Sequence, residues 1–274
     1  MAQLKGKTAL ITGASSGIGK AIASRLGAEG VNLVLVARSQ ATLVQLADAL
    51  SRQYGIIATA VVLDLSQPNC GAHLHSQLQS KGVVVDILVN NAGLGTYGPF
   101  ETRSPEVEQE EIAVNVSAVV SLTHAFLPSM LERKTGVVLN LASTAAFQPV
   151  PYMAVYAATK AFVLSFSEAL WAECRGKGVH VVALCPGAVE TQFIDKLGDA
   201  SVRQTSVFSQ IIQATQVAEQ ALRAIQGRAP NRIIGVKNWL MANSVRFGPR
   251  SMVASSGEKM LRPANHAPSA VRGR

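Results

Sequence analysis

Seven short β-branched runs, almost without polar interruption, alternate with longer helical stretches along this chain. They are TALIT (8–12), NLVLVA (32–37), IIATAVVL (56–63), VVVDILVN (83–90), GVVLNLA (136–142), VHVVALC (179–185) and NRIIGV (231–236). A strand with one wet face alternates apolar and polar residues. A near-continuous apolar strand must be covered on both faces. Helices between the strands supply that cover and make the strands parallel, so the pattern predicts a doubly wound α/β fold of about seven strands. No linker or repeat interrupts the pattern before about residue 237. Residues 1–236 therefore read as a single domain, 237–262 as an amphipathic extension and 263–274 as a disordered tail.

Composition narrows the class further. Hydrophobic residues make up 48% of the 274 and charged ones 15%, as in a globular protein. No apolar run approaches the roughly 18 residues that span a bilayer. The opening MAQLKGKTALITG lacks the apolar core of a signal peptide and runs straight into a strand, so a cytoplasmic location is expected. Cys70, Cys174 and Cys185 are odd in number and far apart, which favours reduced, buried thiols over a disulfide framework. His73 and His75, the only close histidine pair, sit on a polar stretch, and no metal site is expected. Net charge is +8, of which +5 falls in residues 245–274. Without aromatic residues interleaved among the cations, that basic tail does not suggest nucleic-acid binding.

The first strand runs directly into TGASSGIG, residues 12–19. Gly13, Gly17 and Gly19 allow a tight turn and close approach of a pyrophosphate, whose charge suits the N-terminus of the helix that follows. Ser15, Ser16 and Ile18 belong to the same phosphate loop. A tight turn with no ligand is the alternative. At the end of the second strand no acidic residue is available for a ribose 2′-hydroxyl. Arg38 stands there instead, suited to a 2′-phosphate with help from Ser15, so NADP(H) is the expected cofactor. A solvated surface arginine is the competing reading. Asp64, beside Leu65, is either an acceptor for the adenine amino group or the N-cap of the next helix. Asn91, Ala92 and Gly93, in NNAG, offer a backbone wall to the adenine ribose.

Ser143 follows the fifth strand, and Tyr156 and Lys160 are four apart in YAATK, on one helix face. Asn115 lies in the long helical segment after NNAG. In order and spacing, TGASSGIG, NNAG, Asn115, Ser143, YAATK and PGAVET (186–191) resemble the short-chain dehydrogenase/reductase family over about residues 5–236. The resemblance implies hydride transfer between a nicotinamide cofactor and a carbonyl or alcohol, in a homodimer or homotetramer. Tyr156 would be the proton donor, and a charged Lys160 would lower its phenol below the usual value of about 10. Lys160 would also bond the nicotinamide ribose, and Ser143 would hold the carbonyl oxygen. Asn115 would bind a water joining Lys160 to solvent, unless it is merely a polar residue distorting its helix. Pro186 and Gly187 would turn the chain past the nicotinamide, with Val189 and Thr191 on its carboxamide. An NADP(H)-sensing regulator without turnover is the rival function, although sensing needs no proton donor.

The substrate is less legible. Leu94, Phe147, Tyr152, Phe193, Ile194 and Leu197 read as apolar walls for a lipophilic ketone, aldehyde or alcohol, with Arg203 keeping an anionic group in view. The extension resembles that of a bacterial branch of the family. Its expected form is one or two helices that bury several of Trp239, Leu240, Val245 and Phe247 near the substrate mouth. Peripheral contact with an anionic membrane is the competing use of the same segment.

Overall fold

The computed structural model describes residues 4–198, 200–205, 208 and 211–263. The last eleven residues of the expected tail lie outside the described residues. Seven parallel strands form the main sheet: β1 (Thr8–Thr12), β2 (Asn32–Ala37), β3 (Ala58–Val62), β4 (Ile87–Asn90), β5 (Gly136–Leu141), β6 (Val179–Cys185) and, at the far edge, Asn231–Ile233. Between them run α1 (Gly17–Ala28), α2 (Gln40–Tyr54), α3 (Cys70–Gln79), α4 (Pro105–Ile112), α5 (Ala118–Glu132) and α6 (Ala154–Cys174). After β6 come β7 (Val189–Glu190), α7 (Gln192–Asp195), β8 (Ile212–Gln213) and α8 (Ala214–Ile225), so the edge strand is β9. The sheet order is β3-β2-β1-β4-β5-β6-β9. The chain reverses its direction of growth between β1 and β4, which are neighbours. A crevice opens at the carboxyl ends of strands at such a switch point.

Strand pleating explains the apolar runs. Ala9, Ile11, Leu33 and Leu35 point into a core shared with α1, α2 and α8. Leu10, Val34 and Val36 point the other way, into a core shared with α3 and α5. The helical run 105–132 is long and apolar enough to cross a membrane. Leu122, Phe126 and Met130 are buried in that second core, however, as in a core helix of a globular protein. The three cysteines are buried and free, and burial pushes the Cys185 thiol up to about 12, so it is packing rather than nucleophile.

Several strands are shorter than their apolar runs. β4 begins only at Ile87, because the Asp86 carboxylate turns back to accept from the Thr8 amide at 3.0 Å. β9 stops at Ile233, since Gly235, at φ 93°, turns the chain into α9 (Val236–Ser244). The pairing of β7 with β8 beside the main sheet was not anticipated. Two-residue strands carry too little pattern to be read.

The extension forms α9, a short 3₁₀ turn (Val245–Phe247) and α10 (Arg250–Leu261). It docks on the body: the Tyr97 hydroxyl donates to the Leu261 carbonyl at 2.7 Å, and Tyr152 donates to Glu258 at 2.8 Å. The expected burial of its large side chains fails, because Trp239, Leu240 and Phe247 are exposed. Ala242, Leu261 and half-buried Met241 and Val245 make the packing instead, since small residues let the helix lie close.

Candidate active site

The first crossover builds the floor of the crevice. β1 ends at Thr12, and the loop re-enters helix at Gly17, whose φ of 53° is left-handed and suits glycine. Gly19 packs the new helix on its own loop: a Cβ there would lie 2.3 Å from the Gly13 carbonyl oxygen. Ser16 caps α1 without a side-chain bond, so the first-turn amides of the helix remain available to an anion.

Beside it, β4 ends in a clamp. The Thr12 hydroxyl donates to the Val89 carbonyl and accepts from the Asn91 and Ala92 amides, both at 3.0 Å. The Asn91 side chain donates back to the Thr12 carbonyl at 2.8 Å. The clamp holds Asn91–Gly93 alongside the phosphate loop.

A cavity of about 1090 Å³ runs along these strand ends. Its lining includes Gly13, Ser15, Ser16, Gly17, Ile18, Arg38, Asp64, Leu65, Asn91, Ala92 and Gly93, and with them Ser143, Tyr156, Lys160, Pro186, Gly187, Val189 and Thr191. Gly19 and Asn115 are the two expected site residues behind the wall rather than on it. The shape, the free amides of α1 and the cation at Arg38 together fit a dinucleotide.

Individual roles shift in detail. Arg38 is paired with Glu110 at 2.9 Å, so a phosphate there would compete with an exposed carboxylate, a weak rival. Asp64 does not cap α3, whose N-cap is Asn69. Its carboxylate accepts from the Ser66 amide and hydroxyl at 3.0 and 2.8 Å, and these bonds hold it below the usual carboxylate range. Thr191 caps α7 by accepting from the Phe193 amide at 3.3 Å, so its hydroxyl is shared between the helix and the cavity.

Asn115 sits, buried, in a π-helical turn (Ala113–Ser117) between α4 and α5. Its side chain accepts from the Leu94 amide at 2.8 Å and donates to the Leu94 carbonyl at 2.9 Å and to Thr159 at 3.0 Å. Both amide protons and the amide oxygen are therefore engaged by protein, and the side chain braces Leu94 against the helix that carries Thr159. Thr159 passes the brace on, donating to the Tyr156 carbonyl at 2.8 Å.

Lys160 is buried and donates to the Leu141 carbonyl, at the end of β5, at 2.8 Å. Burial lowers its ammonium to about 8, with Glu111 pulling the other way. The Tyr156 phenol is not lowered as expected. Burial pushes it up to about 12, a hydrogen bond with Ser143 opposing and the charge of Glu111 reinforcing. The Lys160 nitrogen stands 5.7 Å from the centre of the Tyr156 ring. Desolvation here outweighs neighbouring charge.

Phe193 packs tilted on Tyr156, ring centres 5.5 Å apart, and with Leu94 and Ile194 it lines the cavity as expected. Phe147, Tyr152 and Leu197 do not. Phe147 packs between α6 and β6, Tyr152 reaches Glu258, and Leu197 is wholly buried behind the wall. Arg203 is engaged by Glu190 and Asp195, at 3.2 and 2.8 Å, and is not held toward an anionic substrate.

Sequence reasoning missed Glu108 and Glu111. Both are buried, and both contact the Thr96 hydroxyl, at 2.9 and 3.3 Å. One hydroxyl proton cannot serve two carboxylates, so one carboxyl must carry a proton and donate to Thr96. Glu111 is that group: burial first, then the charge of Glu108, raises it from 4.5 to about 8. The acidic run 106–111 reads in sequence as a solvated helix start favoured by the helix dipole. Only packing shows that the face carrying Glu108 and Glu111 is inside.

The fold is of Rossmann type, and its cavity brings Ser143, Tyr156 and Lys160 together. The short chain dehydrogenase family model matches residues 7–201, and the chain belongs to that family. A very-long-chain 3-oxoacyl-CoA reductase of Anas platyrhynchos is 35% identical over 193 residues, 68% of this chain and 61% of the relative. This chain thus spans about 61% of the length of that relative. A short-chain dehydrogenase of Sphingobium yanoikuyae, solved in complex with NADPH, superposes with a TM-score of 0.79 at 30% identity, covering 96% of this chain and 99% of that one. A 7β-hydroxysteroid dehydrogenase superposes with a TM-score of 0.81 at 25% identity, covering 93% and 97%.

The Glu111 carboxyl makes stability depend on pH. Its folded value, about 8, lies above its ordinary 4.5, so its contribution is fully present below about 4.5 and is lost as pH rises through about 8. Glu111→Gln mimics the protonated form. Urea unfolding of the ligand-free protein should show wild type losing stability between pH 5 and 8 relative to this variant. Parallel profiles would mean that Glu111 is already ionised at pH 5.

Proposed function

We propose that this oxidoreductase uses NADP(H) to reduce a lipophilic ketone or aldehyde, or to oxidise the matching alcohol. The observation that carries the reading is the single cavity. It joins a phosphate-binding helix terminus and Arg38 to Tyr156 and Ser143, beneath walls that include Leu94, Val114, Met153, Phe193 and Met241. The NADPH complex of the Sphingobium relative supports the cofactor, and the reductase and hydroxysteroid dehydrogenase relatives support an apolar carbonyl.

The dinucleotide would supply a hydride to the carbonyl carbon. Tyr156 would then give its phenolic proton to the oxygen. A phenol at about 12 is fully protonated at neutral pH, yet it is still a stronger acid than the alcohol being formed. Ser143, buried and already in contact with Tyr156, would hold the carbonyl oxygen in line with that proton. Its hydroxyl is itself fixed by the Ala145 amide at 3.1 Å. Lys160, clamped to β5, would place a cation beneath the phenol and the ribose. The Asn115 side chain would support this set by position, locking Leu94 and the helix that carries Tyr156.

The same reading includes a homodimer or larger homo-oligomer. On α6, Ala154, Ala158, Phe162, Ser165 and Ala169 form an exposed, uncharged stripe. Phe162 stacks on Phe166 at 5.7 Å. Such a stripe suits helix packing against a second subunit.

Three measurements test these statements. Tyr156→Phe should abolish nearly all NADPH-linked turnover on a panel of apolar ketones and aldehydes while leaving NADPH affinity almost unchanged. Turnover within a few-fold of wild type would remove Tyr156 as the acid, and tight NADPH binding with no turnover of the wild type would favour the sensor. Arg38→Asp should weaken NADPH far more than NADH in titration calorimetry, whereas equal losses would remove Arg38 from the 2′-phosphate. Light scattering of the wild type should give at least a dimer at micromolar concentration, shifted toward monomer by Phe162→Lys. A monomeric wild type would overturn the assembly.

A further inference from the structure

The helices of the extension are apolar on two opposite sides, and only one side is used. Along α9 and its 3₁₀ continuation, Asn238, Met241 and Val245 line the cavity and Ala242 is buried. Their spacing places them on one face. Val236, Trp239, Leu240 and Phe247 fall on the other, and are 76, 53, 56 and 91% exposed. A helix apolar on both sides is ordinarily sandwiched. Here the outer side meets solvent with an indole and a phenyl ring.

Charge surrounds this face. Lys237, Arg246, Arg250 and Lys259 are exposed, and none forms an ion pair among the described residues. Glu258, the one carboxylate between 236 and 263, is held by Arg262 through two bonds of 2.7 Å. The segment thus presents four cations against a single carboxylate that Arg262 already engages. The cavity opens among the same helices, because Met252 and Met260 are exposed and also line it.

We propose that this face docks the protein on an anionic lipid bilayer. Trp239, Leu240 and Phe247 enter the boundary between headgroups and acyl chains, and the four cations meet lipid phosphates and carboxylates. Aromatic and aliphatic residues ringed by lysine and arginine are what such an interface accepts. A second copy of the chain fits less well. An isologous contact would set the four unpaired cations against their own copies, with Glu258 already engaged. The proposal stands on the surface alone and does not require the substrate reading. If both hold, an apolar substrate enters the cavity from the bilayer without crossing water.

Co-sedimentation of the full chain with vesicles tests this. Vesicles containing phosphatidylserine should capture the protein, pure phosphatidylcholine vesicles should capture much less, and binding should fall as salt rises. A cation near an anionic surface is worth roughly a fivefold change in partitioning. Arg246→Glu with Arg250→Glu should therefore weaken binding by more than about tenfold. Trp239→Ser with Phe247→Ser should do the same at constant charge. Neither pair lines the cavity, so circular dichroism and NADPH affinity should match wild type in both. Failure of the wild type to bind phosphatidylserine vesicles at low salt would overturn the proposal. So would self-association that Trp239→Ser with Phe247→Ser abolishes, because the face would then belong to a second copy.

Discussion

The clamp between Thr12 and Asn91 is the contact on which the site depends. It joins the ends of β1 and β4, the two strands at which the winding of the sheet reverses. At any other strand pair a crossover loop would cover the ends. At this one the loops leave in opposite directions, and the strand ends stand open. One hydroxyl, making one donor and two acceptor contacts, satisfies backbone groups that the ladder can no longer pair. The phosphate loop and the NNAG turn are consequently tied to each other.

The chemistry at the other end rests on a buried cation. Lys160 keeps its ammonium inside the protein by donating to the last carbonyl of β5. Burial of this kind costs more than a surface charge would. Its return is position: the cation cannot stray toward water, and the helix that carries it also carries Tyr156. Asn115 and Thr159 complete the frame by tying that helix to the π turn and to Leu94. A π turn, which offsets the backbone bonding by a residue, is a local concession to place one amide side chain in the core.

Two electrostatic effects oppose each other at Tyr156. Proximity of Lys160 would draw the phenol down, but burial pushes it up to about 12. Any charge that Glu111 acquires raises the phenol further.

Much of this was legible in the chain. Apolar runs separated by helices dictate a covered parallel sheet, because a strand without a polar face has no stable position at a surface. TGASSGIG, NNAG and the Tyr156–Lys160 pair announce the crevice, because glycine, small residues and a fixed helical spacing are local requirements. The family resemblance singled out Ser143 and Asn115, and packing shows the Asn115 side chain to be a brace. What tertiary packing decided was burial. An acidic helix looks solvated until its neighbours enclose Glu108 and Glu111. Phe147 and Tyr152 look like walls of a pocket until each finds another partner. Trp239 and Phe247 look like core until smaller residues take the inner face and leave them outside. Periodicity says that a helix has faces. It does not say which face meets protein, because that depends on the shape of a surface assembled from residues far away in the chain.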